Sequence, residues 1–241
     1  MDINEKVILV TGPNRGIGKS ISLAMANLGA KVAVTGRDLN SLNTVVEEIE
    51  NHNGTAKSFT LDVTKDNQAI EVANSVLREW GRLDVLINNA GVCLYDTPVW
   101  KTSVEEWDYI MNTNLRGLFL ACHAVIPHMM EQKEGCIINI GSSAGKVIED
   151  EKGLYSYGPY ATSKWGVVGY TISLAKSLIQ YGITVNGINP SWVDTDMARN
   201  RVPGGSENWI KPEEIASAVK YLITEAPKTM TGQFIDMFGG D

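Results

Sequence analysis

Val7-Ile8-Leu9-Val10 runs straight into Thr11-Gly12-Pro13-Asn14-Arg15-Gly16-Ile17-Gly18, and a helical pattern follows over 16–28. The apolar run reads as a strand buried on both faces of a sheet. Glycines at 12, 16 and 18 allow a tight turn and close backbone approach to a pyrophosphate at the positive end of the helix. The spacing is G-x-x-x-G-x-G, not the G-x-G-x-x-G of the general dinucleotide motif, and an ordinary strand–helix turn has the same letters. Its place directly after the first strand favours nucleotide binding.

Outward from this turn, short β-branched runs alternate with longer helical patterns. Strands are expected at 7–10, 31–35, 56–61, 85–87, 136–140, 184–188 and 233–237, and helices near 16–28, 39–52, 66–80, 103–131, 158–180 and 212–224. Thr102 or Ser103 before Glu105-Glu106 suits a helix N-cap, Gly182 a helix end, and Pro212-Glu213-Glu214 a first turn. The alternation predicts one α/β domain over 1–241, a Rossmann-type, doubly wound parallel sheet of about seven strands with helices on both faces. Segments 146–157 and 199–210 are the least regular and are expected as surface loops.

A formal net charge of −7 and a pI near 5.1 argue against nucleic acid or an anionic membrane as partner. Cys93, Cys122 and Cys136 are odd in number and lack C-x-x-C spacing, which fits a reducing cytoplasm. The first residues show no basic stretch leading into a long apolar one, so no signal peptide is expected. No apolar run approaches the roughly 18 residues of a membrane span. His52, His123 and His128 are not grouped with Cys or acids at ligand spacing, so no metal site is expected.

Tyr160-Ala161-Thr162-Ser163-Lys164 is the candidate chemical centre. On a helix, positions i and i+4 share one face, so a phenol and an ammonium stand side by side. A fixed positive neighbour favours the phenolate, which a tyrosine acting as general acid needs. The other pole is the end of the second strand. NAD-selective sites place an acid there for the ribose 2′-hydroxyl. Here the position is Gly36, followed by Arg37, with Arg15 able to approach the same ribose. Two guanidiniums suit a 2′-phosphate, so NADP(H) is the expected cofactor. Asp38 dissents, unless it caps the next helix.

With Asp62-Val63, Asn88-Asn89-Ala90-Gly91, Asn114, Gly141-Ser142-Ser143 and the run from Pro190 to Thr195 in the same order, the chain resembles the classical short-chain dehydrogenase/reductase family over essentially its full length. The resemblance implies that Tyr160 is the acid/base and that Lys164 binds the nicotinamide ribose and tunes Tyr160. It implies that Ser142 polarises the substrate oxygen and that Asn114 holds a water linking Lys164 to solvent. Gly12, Asn14, Arg15, Gly16, Ile17, Gly18, Arg37, Asp62, Val63, Asn89, Ala90, Gly91, Pro190, Val193 and Thr195 would hold the cofactor. Ser143 is an alternative to Ser142, and Asn112 to Asn114. The implied activity is carbonyl reduction on small ketones or aldehydes. Its rivals are 3-oxoacyl-[acyl-carrier-protein] reductase, a sugar or steroid dehydrogenase, and a non-catalytic NADP-binding regulator. Family members are commonly tetramers built on the helices near 103–131 and 158–180 and the last strand, so a homo-oligomer is expected.

Some features depart from that family. The interval from Ser142 to Tyr160 is long, and its acidic, Tyr-bearing stretch 148–158 is expected to flank the substrate opening. Asn14 and Ser191 replace commoner small residues. The span from Thr195 to Pro212 is short, which predicts an open pocket. The near-neutral stretch 128–134 is expected beside that pocket and offers no basic face to an acidic carrier protein. Trp100, Trp107, Trp165 and Trp209 read as core or interface, and Trp192 as a residue of the pocket edge.

Overall fold

The computed structural model describes residues 1–94, 98–146 and 158–239. Its strands are β1 (Val7–Thr11), β2 (Lys31–Gly36), β3 (Thr55–Thr60), β4 (Val85–Asn88), β5 (Gly135–Ile140), β6 (Ile183–Pro190) and β7 (Phe234–Met237). They form one parallel sheet in the order β3-β2-β1-β4-β5-β6-β7. The chain moves outward from β1 to β3, then crosses back to place β4 on the other side of β1. A crevice opens at the carboxyl ends of β1 and β4, where the direction of winding reverses.

Both faces of β1 are covered, which explains its unbroken apolar run. Ile8 and Val10 enter a core built with α1 (Gly16–Asn27), α2 (Leu39–Asn51) and α8 (Pro212–Thr224). Val7 and Leu9 enter the opposite core, built with α3 (Gln68–Trp80), α5 (Gly117–Gln132) and α6 (Gly158–Leu178). Ser103 and Glu106 close a reciprocal cap on α4 (Val104–Met111). Gly182 ends the helix after α6 in the left-handed conformation.

The structure corrects several expectations. The helix near 103–131 is not continuous: a π turn at Asn112–Arg116 separates α4 from α5. Segment 199–210 is not a free surface loop. It begins in α7 (Asp196–Arg201), and its end is buried because Val193 bridges Ile210. Of the two readings for Trp100, Trp107 and Trp165, core and interface, the first is excluded, since all three are exposed and belong to neither core. Stretch 128–134 lies at the wrong pole: it precedes β5, and Glu134 pairs with Lys6 before β1 at 2.8 Å. The expected loop at 146–157 lies, beyond Lys146, outside the described residues.

That pole is fastened by a buried carboxylate. Asp84, 0% exposed, accepts from the Val7 amide at 2.9 Å, from Arg82 Nε at 2.7 Å and from Lys6 Nζ at 3.4 Å. Burial raises its pKa, but the Arg82 and Val7 hydrogen bonds and the charges of Lys6 and Arg82 outweigh this and hold it below the usual carboxylate value. Removing a buried charge from its partners costs about 2–4 kcal/mol. Asp84→Asn is therefore expected to lower stability by that amount at pH 7, measured by urea unfolding. A depressed carboxylate stabilises above its unfolded pKa and loses this as pH falls. The gap between wild type and variant should shrink on acidification below about pH 4; a pH-independent gap would contradict the assignment.

Candidate active site

A cleft of about 1220 Å³ lies at the carboxyl ends of the central strands. It is lined by Gly12, Asn14, Arg15, Gly16, Ile17, Arg37, Asp62, Val63, Asn89, Ala90, Gly91, Ser142, Tyr160, Lys164, Pro190, Val193 and Thr195. Of the catalytic and cofactor-holding residues expected from sequence, Gly18 and Asn114 are buried and absent from that lining. Asn112, the alternative to Asn114, lies elsewhere, in an outer groove with Leu115, Phe119 and Tyr170.

The nucleotide half is built on an open helix start. α1 has no side-chain cap and no acid in its first turn, so its leading N–H groups and positive dipole end face the cleft. Gly16, at φ +53°, passes so close to Thr195 that an added Cβ would lie 3.0 Å from its methyl. At Gly18 an added Cβ would overlap Asn89 Nδ2 and crowd the Gly12 carbonyl oxygen, a clash that glycine avoids. Asn89 uses that amide to donate to the Thr11 and Gly12 carbonyls at 3.0 and 2.9 Å. In return, Thr11 Oγ1 accepts from the amides of Asn89 and Ala90, both at 3.0 Å. The glycine turn and the end of β4 are thus one rigid unit.

At the ribose end, Asp38 caps α2, accepting from the Asn40 amide at 3.1 Å. Arg37 is exposed and makes no hydrogen bond or ion pair among the described residues. Arg15 reaches across the cleft mouth to Asp196 at 3.4 Å. Asp62 accepts from the Thr64 amide and hydroxyl. Burial raises its pKa, yet these bonds with Arg37 and Lys65 leave it lowered. An uncapped helix start, two guanidiniums and a polar floor in one long cleft fit a dinucleotide carrying an extra phosphate.

In the chemical half, α6 brings Lys164 Nζ to 5.7 Å from the centre of the Tyr160 ring. Lys164 is 6% exposed and donates to the Ile140 carbonyl at 2.9 Å. Burial pushes its ammonium down to about 8, against a smaller opposing effect of Cys93. The π turn directs Asn114 inward, where it accepts from the Val92 amide at 2.8 Å and donates to the Val92 carbonyl and Ser163 Oγ. Its second Oδ1 lone pair remains unspent. An added Cβ on Gly91 would lie 3.5 Å from Asn114 Oδ1 and 3.8 Å from Lys164 Nζ, so both groups converge there.

Ser142 and Ser143 both line the cleft. Ser142 Oγ accepts from the Ala144 amide at 3.2 Å, and its own amide donates to Asn189 Oδ1 at 3.3 Å. Asn189 in turn donates to Asp236 at 3.0 Å, whose other oxygen accepts from Lys146 at 2.9 Å. One carboxylate on β7 therefore holds both ends of the turn that carries Ser142. Sequence reading missed this clamp, although an acid inside the apolar strand 233–237 was a signal. It also missed Trp209, which lines the cleft and stacks on Trp192 with ring centres 5.4 Å apart. The stretch 148–158, expected to flank the substrate opening, lies up to residue 157 outside the described residues.

Residues 6–204 match the short chain dehydrogenase family. A 3-oxoacyl-[acyl-carrier-protein] reductase from Thermotoga maritima is 36% identical over 100% of this chain and 99% of its own length. One from Synechocystis sp. is 35% identical over 99% and 97%. Among solved structures, a short-chain type dehydrogenase/reductase from Mycobacterium marinum superposes with a TM-score of 0.91 at 32% identity, covering 99% of this chain and 96% of the other. A metagenomic short-chain oxidoreductase in complex with NADP gives 0.85 at 33% identity, covering 100% of both.

Among the described residues Lys164 has no carboxylate partner, and a buried ammonium so placed costs stability that an apolar side chain would not. Without ligand, Lys164→Met is expected to melt a few degrees above wild type at pH 7. The unfolded lysine keeps its proton up to about 10.4, so this penalty on wild type fades as pH rises from about 8 toward 10. Scanning calorimetry should show the two melting curves converging; an unchanged difference would contradict the burial cost.

Proposed function

The chain belongs to the short-chain dehydrogenase family, and within it we propose that it is an NADPH-dependent carbonyl reductase interconverting ketones or aldehydes with their alcohols. The observation carrying this reading is the Tyr160–Lys164 pair, a phenol beside a buried ammonium in the dinucleotide cleft. NADPH, once bound, supplies the hydride.

Tyr160 donates a proton from its phenol oxygen to the substrate oxygen. Ser142 donates a hydrogen bond to the same oxygen, a contact that strengthens as negative charge gathers there. Lys164 holds the ribose hydroxyls and supplies fixed positive charge beside the phenol. Asn114, with one lone pair to spare, holds a water that joins Lys164 to solvent. Asp62 and Val63 receive the adenine, Asn89, Ala90 and Gly91 the middle of the cofactor, and Pro190, Val193 and Thr195 the carboxamide end. Preference for NADPH rests on Arg37 and Arg15, with Asp38 engaged in capping a helix.

The relatives' names favour a second reading, 3-oxoacyl-[acyl-carrier-protein] reductase. Such an enzyme docks an acidic carrier, which calls for unpaired cations around the cleft. Here Arg15, Lys146, Arg199 and Lys211 are each paired with a carboxylate, and Arg37, the unpaired exception among the described residues of the cleft, is taken up by the cofactor phosphate in this reading. That supports the free carbonyl as substrate. The same reading places the enzyme in the cytoplasm as a homo-oligomer, a tetramer or dimer. Supporting this, no helix among the described residues is long and apolar enough to cross a membrane, and Phe119 and Trp165 stand exposed on α5 and α6.

Tyr160→Phe should lower kcat by about 10²–10⁴ while NADPH still binds, as followed by fluorescence titration. Retained turnover would reject the assignment, and NADPH binding with no reduction across a broad carbonyl panel would favour a regulator. Arg37→Ala should raise the KM for NADPH about 10–100-fold, the scale of a lost charged hydrogen bond, and leave that for NADH unchanged. Equal effects on both cofactors would remove Arg37 from 2′-phosphate recognition.

A further inference from the structure

Beyond the acid and its lysine, the cleft carries a second built feature. Trp192 and Trp209 stack with their rings 13° from parallel and 5.4 Å between centres. The pair is held by backbone: the Ile210 amide donates to the Trp192 carbonyl at 3.0 Å and the Asp194 amide to the Ile210 carbonyl at 2.9 Å. Asp194 is anchored in turn by Arg199 and Lys211. Gly205 also packs against Trp209, where an added Cβ would lie 3.2 Å from the ring. Trp209 is 8% exposed, whereas Trp192 is only half-buried and lines the cleft.

The position of this pair relates it to the carbonyl. Trp192 lies three residues beyond Asn189, whose side chain holds the Ser142 amide. From Trp192 to Gly239 the described lining residues are mainly apolar, including Val202 and Phe238. Their one charge, Asp196, is turned to Arg15 on the nucleotide side.

From this geometry, and resting on the reductase reading above, we infer that Trp192 and Trp209 form a recognition wall for an aromatic ring attached to the substrate carbonyl. The indole faces are electron-rich. A ring conjugated to a carbonyl is electron-poor, and offset stacking between them adds to the burial that any apolar group of equal size obtains. The preferred substrates are aryl ketones and aryl aldehydes, in place of saturated ketones or thioester-linked acyl chains.

The test pairs acetophenone with cyclohexyl methyl ketone, similar in size and differing in aromaticity. Wild type should show a kcat/KM about tenfold higher for the aryl ketone, the scale of an aromatic pair. Trp192→Leu and Trp209→Leu should lose that preference mainly through KM, and Trp192→Phe should keep most of it. Equal kcat/KM for the two ketones in wild type, or a preference unchanged in both leucine variants, would overturn the inference. Calorimetric binding of both ketones to NADPH-loaded Tyr160→Phe protein separates recognition from chemistry. Tighter acetophenone binding there, dependent on the tryptophans, sustains the wall even if wild type reduces neither ketone, in which case only the reductase reading falls. Binding without discrimination in that complex would reject the wall while leaving the reductase reading intact.

Discussion

The hydrogen-bonded joint between Thr11 and Asn89 is the constraint from which the cleft follows. Neighbouring strands β1 and β4 are not consecutive in the chain, so nothing local sets the distance between the turns at their ends. Four bonds do so instead: Asn89 Nδ2 to two carbonyls of the glycine turn, and Thr11 Oγ1 from two amides after β4. Gly18 must lack a side chain because Asn89 occupies that space. Once this joint is made, the open start of α1 faces the crevice, and the phosphate end of the site has its geometry.

The two ends of the sheet treat buried charge in opposite ways. At the amino end, Asp84 is surrounded by Arg82, Lys6 and the Val7 amide, so its charge is compensated and strengthens the fold. At the carboxyl end, Lys164 has the Ile140 carbonyl, the Tyr160 ring and a nearby thiol among the described residues, and burial works against its charge. In the proposed reading, that ammonium binds the ribose hydroxyls and favours the neighbouring phenolate. Stability and chemistry are thereby assigned to separate poles, as expected when a reactive site is maintained at some cost to the fold.

The substrate end is shaped by contacts between segments far apart in the chain. Asp236 on β7 holds Asn189 and Lys146, and so both ends of the Ser142 turn. A bridge between Val193 and Ile210 brings two indoles into register. Around the rim, Arg15, Lys146, Arg199 and Lys211 are held by carboxylates, while Arg37 stands without one among the described residues.

Much of this was legible in the chain itself. The unbroken apolar runs marked strands covered on both faces, the glycine turn marked the crevice, and the helical spacing of Tyr160 and Lys164 placed them together, because each of these patterns is local. Asn114 was legible as a residue but not as a position, since the π turn that directs it inward interrupts a pattern that reads as one helix. Trp209, Asp236 and Asn189 were hidden, and stretch 128–134 was assigned to the wrong end of the sheet. By itself the sequence determined the α/β alternation, the dinucleotide turn and the phenol–ammonium pair, all set by neighbours within a few residues. Tertiary structure alone decided which indoles stack, which carboxylate grips the serine turn and which lysine loses its hydration, because those outcomes depend on burial and on hydrogen bonds between residues tens of positions apart.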